Sequence, residues 1–193
     1  MAVAIVQARV KFGYYERLGP KQRATYRKSD AVTSVPLPDA AALAPRVAEL
    51  ERCLASGKRA ATAKAAGALV AALCAQLGVD GVVVRVRTVR PAIQGGELHG
   101  LYRFAEKGKA PTIDVWMKTA AHEKVVRFRT FLRTLLHEVG HHLDVTLLGL
   151  HDSFHTEGFF RRESSLVRQL LARPSKPKAP PARRRPQQLG LFD

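Results

Sequence analysis

The segment His137-Glu138-Val139-Gly140-His141 constrains this chain more than any other, because it sits inside a helical hydrophobic pattern. Val125, Phe128, Leu132, Leu135, Val139 and Leu143 recur at steps of three and four and predict a helix over 123–148 with one buried stripe. Residues four apart on a helix share a face, so His137 and His141 stand one turn from each other. Two imidazoles so placed can hold one Zn²⁺ at about 2.0–2.1 Å. Glu138, the next residue round, can reach a water beside that ion from the side. Two ligands and a general base on one rigid element match the division of labour a metallohydrolase needs. Gly140 is expected to keep the space beside the ion open. The plainer reading of the same pair is stacked surface histidines, and the strongly apolar helix argues against it.

A helix with such a stripe needs a surface to bury it against. Asp39, after Pro36 and Pro38, is expected to cap a helix carrying Leu43, Val47, Leu50 and Leu54, with Gly57 past its end. An alanine-rich helix over 60–77 groups Leu69, Val70, Leu73 and Leu77 and stops at Gly78. The period then changes to two. Residues 82–89 read as a strand, with Arg85 and Arg87 on one face and Val84 and Val86 on the other. Gly95-Gly96 marks a turn, and 98–104 and 112–117 read as further strands. A last helix over 157–172 turns Phe159, Phe160, Leu166, Val167, Leu170 and Leu171 inward, with Thr156 as its cap. This order predicts an α+β fold with a small antiparallel or mixed sheet of about three strands.

Length and composition set the bounds. The 193 residues suit one domain with appendages, and 46% apolar with 25% charged residues excludes wholesale disorder. A net charge of +16 implies a polyanionic neighbour, nucleic acid before membrane. Residues 1–35 interleave Arg9, Lys11, Arg17, Lys21, Arg23, Arg27 and Lys28 with Phe12, Tyr14, Tyr15 and Tyr26. That pattern suits a nucleic-acid surface, and equally an arm that packs its rings on the core. Cys53 and Cys74 are too few for a disulfide scaffold or an all-cysteine zinc site, and read as buried thiols of a cytoplasmic protein. No signal peptide is visible. The longest apolar run, 65–77, falls short of the roughly 20 residues that cross a bilayer, so no membrane partner is expected.

A catalytic zinc wants a third protein ligand and an open position. Downstream candidates are His142, Asp144, His151, His155 and Glu163. His142 points about 100° away from His141 and is a poor ligand. Asp144 suits an acceptor that orients an imidazole. His151 and His155 follow the helix break at 149–153, where the chain can turn back over the ion. Glu163 sits on the apolar stripe of the last helix, where an unpaired carboxylate is costly; by spacing it is an alternative third ligand.

His137-Glu138-x-x-His141, a loop, then His155-Thr156-Glu157-Gly158-Phe159-Phe160 opening a helix resembles the SprT-like zinc metallopeptidases, the group that includes Spartan. The resemblance covers roughly residues 40–172. It implies a small zincin-like domain, Zn²⁺ held by His137, His141 and His155, and Glu138 as the catalytic base. It also implies hydrolysis of peptide bonds, on proteins associated with or crosslinked to DNA. The chain departs from some members in showing no four-cysteine zinc ribbon. Tyr102, His99 and His122 are candidate donors to an oxyanion. A substrate strand is expected on an exposed sheet edge, for which 112–117 is the chosen strand. The alternative function is a non-catalytic regulator or nucleic-acid-binding protein on the same fold with a structural zinc.

The organisation that follows is a basic N-terminal arm over 1–35, the metallopeptidase domain over 36–172, a disordered basic Pro-rich linker over 173–187 and a short peptide over 188–193. Gln188, Leu189, Leu191 and Phe192 resemble the sliding-clamp-binding peptide of bacterial polymerases and repair proteins. The expected partners are therefore a protein or peptide substrate, DNA bound without strong sequence preference, and the bacterial sliding clamp. The expected location is the cytoplasm, with association with the nucleoid following from the DNA partner.

Overall fold

The computed structural model describes residues 12–106 and 108–172. The linker over 173–187 and the clamp-like residues Gln188, Leu189, Leu191 and Phe192 lie outside the described residues, as do residues 1–11. Among the described residues the first α-helix is α1, Pro20–Ala31, followed by α2, Ala44–Ala55, and α3, Arg59–Leu77. Asp39 Oδ1 accepts from the amide of Ala42 at 3.0 Å and caps the short turn that leads into α2. Gly78, at φ 64°, ends α3 in the left-handed conformation that favours glycine. On length and composition alone α3 could cross a membrane. In this fold Leu69, Val70, Leu73 and Cys74 on it are buried, against Leu50, Cys53 and Leu54 of α2 in one core.

Three strands form the main sheet: β1, Val83–Val89; β4, Gly100–Arg103; and β5, Thr112–Lys118. A two-residue hairpin, β2 (Ala92–Ile93) with β3 (Gly96–Glu97), fills the turn between β1 and β4. The order is β1-β5-β4, with β1 parallel and β4 antiparallel to β5. The fold is α+β with a mixed sheet. Strand 112–117 is thus not an edge: β5 is bonded on both sides and cannot accept a further strand. Periodicity shows which residues form a strand, but neighbours are chosen by the crossover from β1. Among the described residues, the edges without a paired strand belong to β1 and β4.

Ile113, Val115 and Met117 of β5 and Val86 of β1 are buried in the core with the helices. The opposite face carries Arg87 and Arg103, which converge on Asp114. Arg87 Nε donates to Asp114 Oδ1 at 2.7 Å and Arg103 donates to Oδ2, which lets a carboxylate sit almost wholly covered in a sheet.

Helix α4 spans Phe128–Thr146, five residues shorter at its start than the hydrophobic pattern suggests. The reason is local. Lys118 and Val125 form an antiparallel bridge, the amide of Val126 bonds to Met117 O at 2.9 Å, and Glu123 turns with φ 47°. Val125 is accordingly exposed, not part of the buried stripe. Phe131, Leu132, Leu135, Leu136, Val139 and Leu143 form that stripe. The final helix, α5, spans Glu157–Leu171 and opens with Thr156 Oγ1 accepting from the amide of Phe159 at 3.0 Å. Phe159, Leu166, Val167 and Leu170 face inward, whereas Phe160 is exposed.

The described part of the basic N-terminal segment buries two of its four rings, leaving Tyr14 half-buried and Phe12 exposed. Tyr15 and Tyr26 are buried, edge to face, with ring centroids 4.9 Å apart. Helix α1 lies against α5, and Gly158 makes this approach possible. A β-carbon on Gly158 would come within 2.7 Å of the main chain of Asp30. With none there, the amide of Gly158 bonds to Asp30 Oδ1 at 2.9 Å.

Candidate metal centre

One turn of α4 carries His137 and His141, and the loop before α5 brings His155 across to them. His155 Nε2 lies 2.9 Å from His137 Nε2 and 3.1 Å from His141 Nε2. The far ring nitrogens decide which protons these atoms carry. Glu163 Oε2 stands 2.8 Å from His137 Nδ1. Burial alone would raise the Glu163 carboxyl, but hydrogen bonds and charge from His137 and Arg133 outweigh it and hold the group below its ordinary range. An ionised carboxylate only accepts, so His137 Nδ1 carries a proton, and in the neutral ring Nε2 presents a lone pair. The second histidine follows the same logic. Ser153 Oγ donates to Asp144 Oδ2 at 2.7 Å, so at 2.7 Å from His141 Nδ1 it can only accept. His141 Nε2 therefore also presents a lone pair. Burial, then the charges of His137 and His155, push His141 down to about 3, so it stays neutral near pH 7.

His155 Nε2 faces two lone pairs and can donate to one at most. A shared cation satisfies all three atoms at once. The three ring nitrogens suit one metal ion on identity and on spacing: ligand atoms of a tetrahedral site with bonds of about 2.0–2.1 Å stand about 3.3–3.4 Å apart.

The support behind His141 is longer than the sequence suggests. Asp144 Oδ1 accepts from Arg162 Nη2 at 2.7 Å, and both side chains are buried. Arg162 Nη1 in turn donates to the carbonyls of Ser29 and Val32, at 2.5 Å each, and Nη2 to Ser29 Oγ at 3.0 Å. The end of α1 is thereby tied to the histidines through Arg162, Asp144 and Ser153. Tyr14 adds a second tie, its hydroxyl donating to His155 O at 2.9 Å.

Glu138 lies next to this cluster, buried, with its side chain against β4. A β-carbon on Gly100 would fall 2.8 Å from Glu138 Cγ, so only glycine lets the strand pass here. Burial pushes the Glu138 carboxyl up to about 7, with the His137 charge and the Tyr102 amide pulling the other way. Gly140 serves a different neighbour from the one expected. A β-carbon there would lie 3.1 Å from the Phe159 ring, so Gly140 makes room for that ring and not for a ligand. Phe159 packs against His141, His137 and His155 at centroid distances of 4.8, 5.0 and 5.2 Å.

Of the candidates for a third ligand, only His155 joins the pair. Glu163 and Asp144 stand behind the imidazoles, and His151 is exposed and outside the cluster. His142 is buried, with Nε2 donating to Asp80 O at 2.8 Å. Its Nδ1 then accepts from the Tyr102 hydroxyl at 3.2 Å, which commits that hydroxyl away from an oxyanion. His99 lines the cavity beside Glu138, while His122 is exposed and absent from that cavity wall. Sequence reasoning missed Ser153, Arg162, Asp30 and Gly100. Only Arg162 carried a signal, as an arginine among the apolar positions of α5. No family model matches the chain, and no curated protein or solved structure matches it either.

Proposed function

We propose that this chain is a zinc-dependent endopeptidase with His137, His141 and His155 as ligands and Glu138 as general base. The observation that carries the reading is the meeting of three imidazole Nε2 atoms beside a buried glutamate. Neutral nitrogen donors favour zinc over magnesium or calcium, which take oxygen ligands. When bound, zinc supplies Lewis acidity toward water and a substrate carbonyl. Glu138 accepts the proton of the attacking water at a carboxylate oxygen and returns it to the departing nitrogen. Glu163 and Ser153 hold the imidazoles in the tautomer that leaves Nε2 free. The free edge of β4, next to Glu138, is the place where an extended substrate can add main-chain hydrogen bonds.

The resemblance to SprT-like peptidases supports the same reading. The +16 charge supports substrates carried on DNA, and the clamp-like terminal peptide supports delivery to replicating DNA. The test is paired. Purified protein is analysed for metal, then assayed on unstructured protein with and without DNA. Glu138→Gln is expected to keep one zinc per chain and to lose hydrolysis by about 10²–10⁴-fold. Zinc without hydrolysis in the native protein would favour the regulatory alternative, and absence of stoichiometric metal would overturn both.

A further inference from the structure

Two cavities flank the histidine cluster, and Gly100, His137 and Glu138 line both. The smaller, about 290 Å³, is walled by the rings of Tyr102, Phe104, His141 and His155. The larger, about 720 Å³, is walled by Arg127, Arg129 and Arg133 at the start of α4. Two of the three acidic groups that line this second cavity, those beside Glu138, are already engaged. Glu163 is held by Arg133 at 2.5 Å and by His137. Glu97 is held by Arg90 at 3.2 Å and by the amide of Ala120 at 2.9 Å. Arg127 and Arg129 are exposed to the cavity and have no acidic partner among the described residues.

We infer that the larger cavity seats acidic side chains of a substrate peptide on one side of the scissile bond, with Arg127 and Arg129 selecting them. This rests on the peptidase reading of the site. A guanidinium presents a planar fork that matches a carboxylate in two parallel hydrogen bonds. Two such forks beside the cluster favour Asp and Glu and repel Lys and Arg at the same positions. A peptide suits this wall better than a nucleic-acid backbone. The free arginines share the wall with Glu97, Glu138 and Glu163; a row of phosphates carries a charge at every step, whereas a peptide can set its acids opposite the arginines alone.

The test uses the zinc-loaded Glu138→Gln full chain, in which peptide is bound but not consumed. Fluorescence anisotropy compares a labelled glutamate-containing decapeptide with its glutamine counterpart. The acidic peptide is expected to bind about tenfold more tightly. Adding Arg127→Gln and Arg129→Gln together should erase the difference. Adding Arg46→Gln and Lys64→Gln, which removes equal charge from exposed positions elsewhere, should keep it. Equal binding of the two peptides, or a preference that survives loss of both cavity arginines, overturns the proposal. So does a single-stranded oligonucleotide that depends on the same two arginines and displaces the peptide. Hydrolysis by the native protein separates the two levels. A preference in the binding assay with no hydrolysis of any peptide sinks the peptidase reading but leaves the cavity assignment standing. Hydrolysis with no preference sinks the assignment and leaves the peptidase.

Discussion

Glu163 Oε2 sits 2.8 Å from His137 Nδ1, across the imidazole from the nitrogen that meets His155. One carboxylate therefore fixes both the ring orientation and the tautomer of a candidate ligand it does not replace. Glu163→Gln is expected to weaken metal binding by about 10–100-fold, whereas His155→Ala removes a donor outright and loses stoichiometric metal. His151→Ala should leave affinity unchanged. Competition with a chromophoric chelator measures all three. Metal stripped by Glu163→Gln but kept by His155→Ala would reverse these roles.

Arg162 and Asp144 are an ion pair removed from water, with 3% and 0% of their surfaces exposed. Burial pushes the Asp144 carboxyl up, and Arg162 and Ser153 only partly offset it. Arg162→Met strands that carboxylate and is expected to cost about 3–5 kcal/mol of stability. Asp144→Asn on the same background should cost less than the two single changes summed, because the pair acts as a unit. Urea unfolding of the four proteins in chelator, where metal contributes nothing, checks the coupling; strict additivity would refute it.

Gly158→Ala introduces a β-carbon within 2.7 Å of the Asp30 main chain, which cannot swing aside as a side-chain tip would. The expected loss is about 1–3 kcal/mol, together with faster hydrogen exchange in α1. Gly140→Ala meets only the Phe159 ring, at 3.1 Å, and should cost less. Thermal unfolding that ranks the two variants the other way would show that α1 can shift.

Asp114 supplies an acid-sensitive element on the face of the sheet turned away from the helical core. Burial raises its carboxyl, but the hydrogen bonds and charges of Arg87 and Arg103 outweigh this and hold it below its ordinary value. A carboxyl depressed in the folded state stabilises fully above its unfolded pKa, about 3.9. The contribution disappears as pH falls through the lower folded value. Both arginines are about half exposed, at 51% and 53%, so solvent screening keeps the effect modest. Asp114→Asn should flatten the fall in stability below about pH 4. Unchanged acid unfolding in that variant would assign the sensitivity elsewhere.

The apolar periodicities were sufficient to locate α2, α3, α4, α5 and the three main strands, since each buries a regular face. What periodicity does not encode is who lies beside whom. Strand β5 looks like an edge in one dimension and becomes central only because β1 crosses over to pair with it. The start of α4 failed for a related reason: Val125 fits a helical stripe but is drawn into a bridge with Lys118. At the site, His137, Glu138 and His141 were legible because one helix turn relates them. Arg162 and Ser153 act through partners 133 and 9 residues away, so no local spacing names those partners, although Arg162 stands out among the apolar positions of α5.

Those separations also set an order in time. His155 is 18 residues from His137 and 14 from His141, a short loop to close. The tie from Arg162 to Ser29 closes nearly the whole described chain and belongs with the slow, long-range contacts of folding. During synthesis the histidines thus meet after the N-terminal helix has already waited, undocked, for its partner on α5. Until that helix docks, Arg162 has no carbonyls to grip and the imidazoles lack their rigid backing. Helix α1 and the turn after it act as a latch thrown last, and removing the chain through Val32, which takes away all three acceptors of Arg162, is expected to leave a site that captures a metal ion but does not retain it.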